Sequence, residues 1–350
     1  MLLTSNAPPA HAGSPSQFDT CGLDELSGPW DGADLVSQRD ALSLKWLNGK
    51  GLEIGALHKP VRVRGSVIVK YVDYKTLKEN RRRYPELAGE KIVQTDIVDD
   101  GFVLDKVRNS SVDFIVANHA LEHSPDPYGT LLTWKNKIAA GGTLLVAVPI
   151  ADRCYDRGRP ITTVEHLLED HHRFQEGDVE EVLRGTREHL VEFLTISDKN
   201  IRVENNLPLQ THDCCVAVAD KFLAGLEARV KEAIEWRAAE ASRSSQARIS
   251  RNFLSTCLDK IRRLTAAMKR KPSSATLTTL LISAHVQGLN RVYDIHYHTF
   301  SPASYCAFLS CFCDQEGMVL EEVRKSGGGE CIAIVTKPPC GRAAGRTSDR

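Results

Sequence analysis

A chain of 350 residues, 42% hydrophobic and 26% charged, is long enough for one large domain with an insertion or for two modest ones. Lys and Arg number 45 and Asp and Glu 45, so the formal charge is zero and the overall balance argues against nucleic acid or a membrane surface as partner. Ten cysteines with no CxxC pair, and no apolar run long enough for a membrane span, lead us to expect reduced thiols in a cytoplasmic protein.

Residues 1–34 carry Pro8, Pro9, Gly13, Pro15, Gly28 and Pro29 with little periodicity and read as a mobile extension. From Asp34 the pattern alternates. A helix to about Asn48 is followed by strands at 51–55 and 67–72, then a helix bearing Leu77, Tyr84 and Leu87. Strands at 91–95 and 112–117, a helix near 127–139 and a strand at 143–148 complete the series. Strands separated by helices imply a doubly wound α/β sheet. Gly141 and Gly142 are expected to end the last of these helices, and Pro149 to close the strand after it.

Beyond Pro149 the alternation stops for about 140 residues. Phe222, Leu226, Val230 and Ile234 recur every four residues, and Ile249, Phe253, Cys257, Ile261, Leu264 and Met268 every three to four, so both stretches predict amphipathic helices. Leu277, Leu280, Leu281 and Ala284 suggest another. The sheet pattern then resumes with a helix at 302–315, a strand at 318–323, a turn at Gly327–Gly329 and a strand at 331–336. Two strands joined by a short turn form an antiparallel hairpin. The expected organisation is therefore one α/β domain in two parts, 35–153 and 290–337, interrupted by a helical insertion at 154–289 and followed by a polar tail at 338–350. Charge is segregated within the insertion: residues 165–204 hold eleven acids against five Lys/Arg, and 243–271 nine Lys/Arg against one acid. The first reading is solvated helix faces that partly neutralise each other; the second is that Arg262, Arg263, Lys269, Arg270 and Lys271 make a dock for an anionic glycan, lipid headgroup or nucleic acid, the last weakest without interleaved aromatics.

The motif richest in chemistry is Gly51-Leu-Glu53-Ile-Gly55, a strand that ends in an acid and turns on glycine. About twenty residues on, a second strand ends at Tyr71-Val72-Asp73. That spacing is how an α/β sheet builds a nucleoside pocket. Together with Thr95-Asp96 and the closing hairpin, it resembles the class I S-adenosylmethionine-dependent methyltransferases. More closely, Gly51-Leu-Glu-Ile-Gly-Ala-Leu-His-Lys-Pro60, Ile115-Val-Ala-Asn-His-Ala-Leu-Glu-His123 and Arg159-Pro-Ile-Thr-Thr-Val-Glu-His-Leu-Leu168 are similar to a bacterial subgroup that occurs with glycan synthesis and glycosyltransfer.

The resemblance implies a seven-stranded sheet of order 3-2-1-4-5-7-6 with strand 7 antiparallel, and S-adenosyl-L-methionine as cofactor. It implies that Gly55, with Ala56 beside it, admits the methionine moiety and that Glu53 helps hold its amino-acid end. Asp73 would bind the ribose hydroxyls, Asp96 or the Ile97 amide the adenine edge, and Asn118 and His119 would floor the site. Leu57 stands where the family commonly has another glycine. The acceptor would be a hydroxyl or amine of a sugar, glycan precursor or small metabolite, selected by the insertion.

If the acceptor is a hydroxyl, a neutral imidazole must take its proton, with activity rising through a pKa near 6.5. His123 is the first candidate and His166 the second. The residues Arg153, Asp156, Arg157 and Arg159 read as a polar substrate-side cluster. No metal site is expected, although His119/His123, Glu165/His166/Asp170 and His296/His298 could converge from separate segments. Two other readings compete: a catalytically silent cofactor-binding accessory protein, and a nicotinamide-dependent sugar oxidoreductase or epimerase. The absence of G-x-G-x-x-G and of a Tyr-x-x-x-Lys pair weighs against the latter.

Overall fold

The computed structural model describes residues 35–177, 179–243 and 295–339. The expected extension at 1–34, the helices expected at 249–268 and 277–284, the basic stretch beyond Arg243 and the tail from 340 lie outside these residues. Seven strands form one sheet: β1 (Lys50–Ile54), β2 (Ile68–Asp73), β3 (Ile97–Val98), β4 (Val112–Asn118), β5 (Ile138–Pro149), β6 (Val319–Ser326) and β7 (Glu330–Thr336). Their order is β3-β2-β1-β4-β5-β7-β6, with β7 antiparallel to both neighbours and the other pairings parallel. This is the expected topology.

Helices α1 (Leu35–Trp46), α2 (Leu77–Arg83), α3 (Pro127–Lys137) and α8 (Pro302–Glu316) flank the sheet. In the central strand β4, Phe114, Ile115, Val116 and Ala117 are fully buried, as a parallel strand covered on both faces requires. Alternate residues feed different layers. Ile115 and Ala117 pack with Leu52, Ile54, Trp134, Phe308 and Phe312, whereas Phe114 and Val116 pack with Leu42, Leu145, Ile332 and Ile334. Helix α3 starts where Asp126 accepts the Gly129 N–H at 2.8 Å and Pro127 takes the first position. Helix α8 has a Ser301/Ser304 capping box and ends at Gly317, whose φ is 62°.

Two boundaries differ from expectation. Residues 91–95 form no strand; the third strand is the pair Ile97–Val98, set against Val72 and Asp73 at the sheet edge. Thr95 instead turns its hydroxyl to the Lys75 carbonyl. Gly141, with a φ of 79°, lies inside β5, whereas α3 ends at Lys137. The β4–β5 register shifts between Val112 and Phe114, and a Cβ on Gly142 would come within 2.9 Å of the Ala139 and Asp113 carbonyls. The two glycines serve a strand irregularity rather than a helix end.

After β5 come α4 (Val164–Glu176), α5 (Val179–Glu192), a π-helical turn at Phe193–Ser197, α6 (Asp198–Glu204) and α7 (His212–Arg243). They enclose a separate small core that includes Phe174, Leu190, Phe193, Leu194, Ala219, Ile295 and Tyr297. The returning segment 295–300 runs past the carboxyl end of β5. There Phe300 bridges Ile150 in parallel and its carbonyl accepts the Ala151 N–H at 2.9 Å.

Candidate functional site

The carboxyl ends of β1, β2 and β4 open onto a cavity of about 320 Å³, within the range of small-ligand sites. Gly55, Leu57, Asp73, Tyr74, Tyr84, Asp100, Gly101, Phe102, Asn118, His119 and His123 line it. Gly55 has a φ of 65°, and a Cβ built there would meet nothing within 4 Å, so bare backbone faces open space. Leu57 has a φ of 47°, a left-handed conformation that is strained for a leucine, at the position where the resembled family carries glycine.

Asp73 ends β2. Its Oδ1 accepts the Lys75 N–H and its Oδ2 the Asn80 amide, both at 2.8 Å, which fixes the carboxylate at the cavity wall. Burial raises its pKa against these hydrogen bonds. Asn118 ends β4. Both Oδ1 and Nδ2 are buried, and among the described residues neither has a hydrogen-bond partner. A buried carboxamide left with unmade hydrogen bonds in a cavity wall is costly unless a ligand completes them.

His119, next in sequence, has a φ of 51° and lies 2.8 Å from Glu330 through Nε2. Glu330 is fully buried and also takes Arg39 Nε at 2.9 Å. Burial alone would raise the Glu330 pKa, but the bonds from His119 and Arg39 hold it below the usual range.

Other expected ligands lie elsewhere. Glu53 is buried in the layer opposite the cavity side of β1, where its carboxylate accepts the Val61 N–H at 3.1 and 3.3 Å. Burial pushes its pKa up to about 8. It braces the loop after β1 through Val61, and neither it nor nearby Ala56 is part of the cavity wall. Asp96 is exposed and accepts the Tyr71 N–H at 2.8 Å, while Ile97 belongs to edge strand β3. The cavity wall here is Asp100, Gly101 and Phe102, which the sequence reading did not single out as ligands. Since β3 starts two residues after the expected strand ends, its ligand-facing end falls correspondingly later. Gly101 is needed there because a Cβ would lie 2.5 Å from Ile54 Cγ2.

The histidines separate into two places. At the cavity, His123 Nδ1–H donates to the Ile295 carbonyl at 2.8 Å, and its ring meets His296 edge-on with centroids 4.7 Å apart. Burial, with the neighbouring His296, pushes the His123 pKa down to about 3. The ring is therefore neutral at physiological pH with its lone pair on Nε2, but it is a weak base, and the activity rise near 6.5 expected from the sequence is not expected from it. Beside it, Glu122 is fully buried, and among the described residues neither carboxylate oxygen has a hydrogen-bond partner. Its Oε1 is 3.9 Å from His296 Nε2 and 4.0 Å from His119 Nδ1, and burial raises its pKa.

His296 itself stands between Asp156 Oδ2 at 2.6 Å and the Tyr155 hydroxyl at 2.5 Å. Burial would raise the Asp156 pKa, but His296 and Arg159 together hold it far below the usual carboxylate range. Arg159, expected on the substrate side, is buried and clamps the chain: it donates to Asp156, to Glu192 and to the carbonyls of His296 and Tyr297. Arg157 is exposed beside Glu204. This part of the polar cluster is structural because the returning segment needs its backbone carbonyls satisfied.

His166 does not line the cavity. On α4, its Nε2 is 3.2 Å from Asp170 Oδ2 and 3.3 Å from His189 Nε2, and His298 lies against the same group. The sequence reading expected no metal site, yet His166, Asp170, His189 and His298 present ligand atoms that all lie within 4.8 Å of one another. The pair His166/Asp170 and the residue His298 were visible as candidates, whereas His189 was not. Glu165 is not in the group.

No family model matches the chain, and no curated protein sequence does. Among solved structures, a protein described as a sarcosine dimethylglycine methyltransferase from Galdieria sulphuraria is 16% identical over 33% of this chain and 44% of its own, with a TM-score of 0.24. The chain thus spans less than half the length of that protein. A SAM-dependent methyltransferase from Aquifex aeolicus is 16% identical over 41% of this chain and 88% of its own, at a TM-score of 0.25. A protein described as a Zn-dependent alcohol dehydrogenase from Rhodobacter sphaeroides is 11% identical over 89% and 92%, at 0.34. Such likenesses carry no argument about chemistry.

Proposed function

We propose that this chain transfers a methyl group from S-adenosyl-L-methionine to a hydroxyl or amine of a sugar, a glycan precursor or another small metabolite. The observation that carries the reading is the Asn118 carboxamide, buried and without a hydrogen-bond partner among the described residues, in the same wall as Asp73 and Gly55. Asp73 offers the ribose two acceptor oxygens, Gly55 and Asn118 receive the amino-acid end, and Asp100 to Phe102 meet the adenine edge. Glu53 and Ala56 shape the first turn, Asp96 and Ile97 the sheet edge, and His119 the floor.

The bound cofactor supplies an electrophilic methyl on sulfonium, already a good leaving group. The protein's task is then alignment of the acceptor atom, with His123 as the candidate proton acceptor of low basicity. The helices after β5 roof the acceptor side. Among the described residues no helix is long and apolar enough to cross a membrane. The cytoplasm as location is part of the proposal and rests on the cysteine pattern of the sequence. A catalytically silent cofactor-binding protein is the second reading, favoured by that same low basicity.

Calorimetric titration of the purified chain tests the proposal. We expect S-adenosylmethionine and S-adenosylhomocysteine to bind one per chain and nicotinamide nucleotides not to bind. Binding of neither sulfur nucleoside, or preference for a nicotinamide nucleotide, overturns it. Binding without turnover on any glycan or metabolite acceptor selects the silent reading.

A further inference from the structure

The cluster on the helical insertion brings four potential metal ligands together, against three in each of the groups Glu122/His123/His296 and Cys154/Asp156/His296. Asp170 Oδ2 lies 3.2 Å from His166 Nε2, 3.1 Å from His189 Nε2 and 3.9 Å from His298 Nε2, and the first two nitrogens are 3.3 Å apart. Metal–ligand bonds of about 2.0–2.1 Å in a tetrahedron put neighbouring donor atoms roughly 3.3 Å apart. Three of the separations, 3.1, 3.2 and 3.3 Å, are already close to that value. The rings cross at 81°, 65° and 72°, so they splay around a common point and do not stack.

Hydrogen bonding alone leaves this cluster incomplete. His298 is 1% exposed, and among the described residues neither of its ring nitrogens has a hydrogen-bond partner. His166 and His189 direct Nε2 atoms at each other and at one carboxylate oxygen, so three imidazoles compete for a single acceptor. The other oxygen, Asp170 Oδ1, accepts from Arg173 Nη1 at 2.8 Å, which fixes the carboxylate's orientation as outer-sphere partners of metal ligands do. Gly185 on α5 lets the helices close over it: a Cβ there would lie 3.2 Å from Arg173 Nη1 and 3.5 Å from Asp170 Oδ1. The His166 side chain is 35% exposed and leaves a path for an ion to enter.

We propose that His166, Asp170, His189 and His298 bind one divalent transition-metal ion of the zinc type, and that this ion fastens the helical insertion to the edge of the cavity. The ligands come from α4, α5 and the returning segment. That segment is joined to the cavity wall because the Tyr297 and His298 N–H groups approach the Glu122 carbonyl at 2.8 and 3.3 Å, one residue before His123. Four protein donors close the coordination shell, which is the arrangement of a structural ion. The inference is independent of methyl transfer.

The test uses the full-length chain, stripped with a chelator and titrated with Zn²⁺ alone, then with Co²⁺ as a spectroscopic probe. We expect one tight equivalent per chain, a higher Tm on loading, and a tetrahedral Co²⁺ spectrum without thiolate charge-transfer bands. The last point separates this site from the cysteines. His166→Ala, at the exposed edge of the cluster, should keep the far-UV circular dichroism and weaken binding by at least about 10–100-fold. His189→Ala with His298→Ala should abolish it. No bound equivalent, thiolate bands in the Co²⁺ spectrum, or binding unchanged in His166→Ala would overturn the proposal.

Discussion

The two histidine groups differ in what faces them within one fold. At the cavity, His123 faces a backbone carbonyl, and burial drives it to the neutral form. On the insertion, His166, His189 and His298 surround a carboxylate that can stabilise a cation. Burial is the first cause at His123 and also at His298, whereas the Asp170 carboxylate is the first cause at the half-exposed His166, where it favours the cation. One side-chain join near their boundary is Arg159, whose guanidinium ties the 296–297 backbone to Asp156 and Glu192, while the Glu122 carbonyl holds the same segment from the cavity side.

Breaking that join should have the largest effect. Arg159→Met leaves the buried Asp156 short of a cation, and we expect a loss of about 3–5 kcal/mol in urea denaturation. A loss below 1 kcal/mol would mean that the two regions are held together by something else. Next comes the cavity itself. Asp73→Ala should weaken S-adenosylmethionine by about 1.5–3 kcal/mol in calorimetry, with Asn118→Ala weakening it less. Unchanged affinity in a folded Asp73 variant would remove the ribose assignment.

Glu53→Gln sharpens the contrast between a wall residue and a brace. It should leave cofactor affinity unchanged. The folded-state pKa of Glu53 is raised to about 8, so the native protein keeps a proton that the unfolded chain gives up above about 4.5. Stability should therefore fall as pH rises from about 4.5 to 8 in the wild type and fall less in the variant, as thermal melts would show. His123 works in the other direction. Its folded pKa of about 3 lies below the unfolded value, so stability from this group is full above about 6.5 and is lost as pH falls toward 3. His123→Asn should flatten that acid limb, and the wild-type turnover profile should show no rise near 6.5 from this residue; a rise that disappears in the variant would contradict the neutral assignment. The smallest effect is expected from Leu57→Gly. Relief of the left-handed strain, about 1–2 kcal/mol, exceeds glycine's entropic cost of roughly 0.5–1 kcal/mol, so a slight rise in Tm is expected.

The sheet was legible because its strands are apolar runs bounded by glycine, proline and acids, and because the Gly327–Gly329 turn signals a hairpin. The third strand, expected at 91–95, lies wholly beyond that range at Ile97–Val98, because an edge strand of two residues has no period to read. At the site, Asp73, Gly55, Asn118, His119 and His123 line the cavity because strand ends on one side of such a sheet point there. Glu53 fails the same logic through alternation: Leu52 and Ile54 face the cavity-side layer, so the residue between them faces away. The His/Asp cluster was only half visible. An i, i+4 pair on a helix shows in one dimension, but its meeting with His189 and His298 depends on how three segments pack.

The bridge between Ile150 and Phe300 marks a stem where the chain leaves the sheet and returns to it. Closure entropy grows only with the logarithm of loop length, so each doubling of such an excursion costs about 0.6 kcal/mol. By length alone a longer or shorter excursion costs the sheet little, provided the new segment keeps the side chains that pack on the core, such as Leu167, and again ends in residues that pair at Ile150 and Ala151.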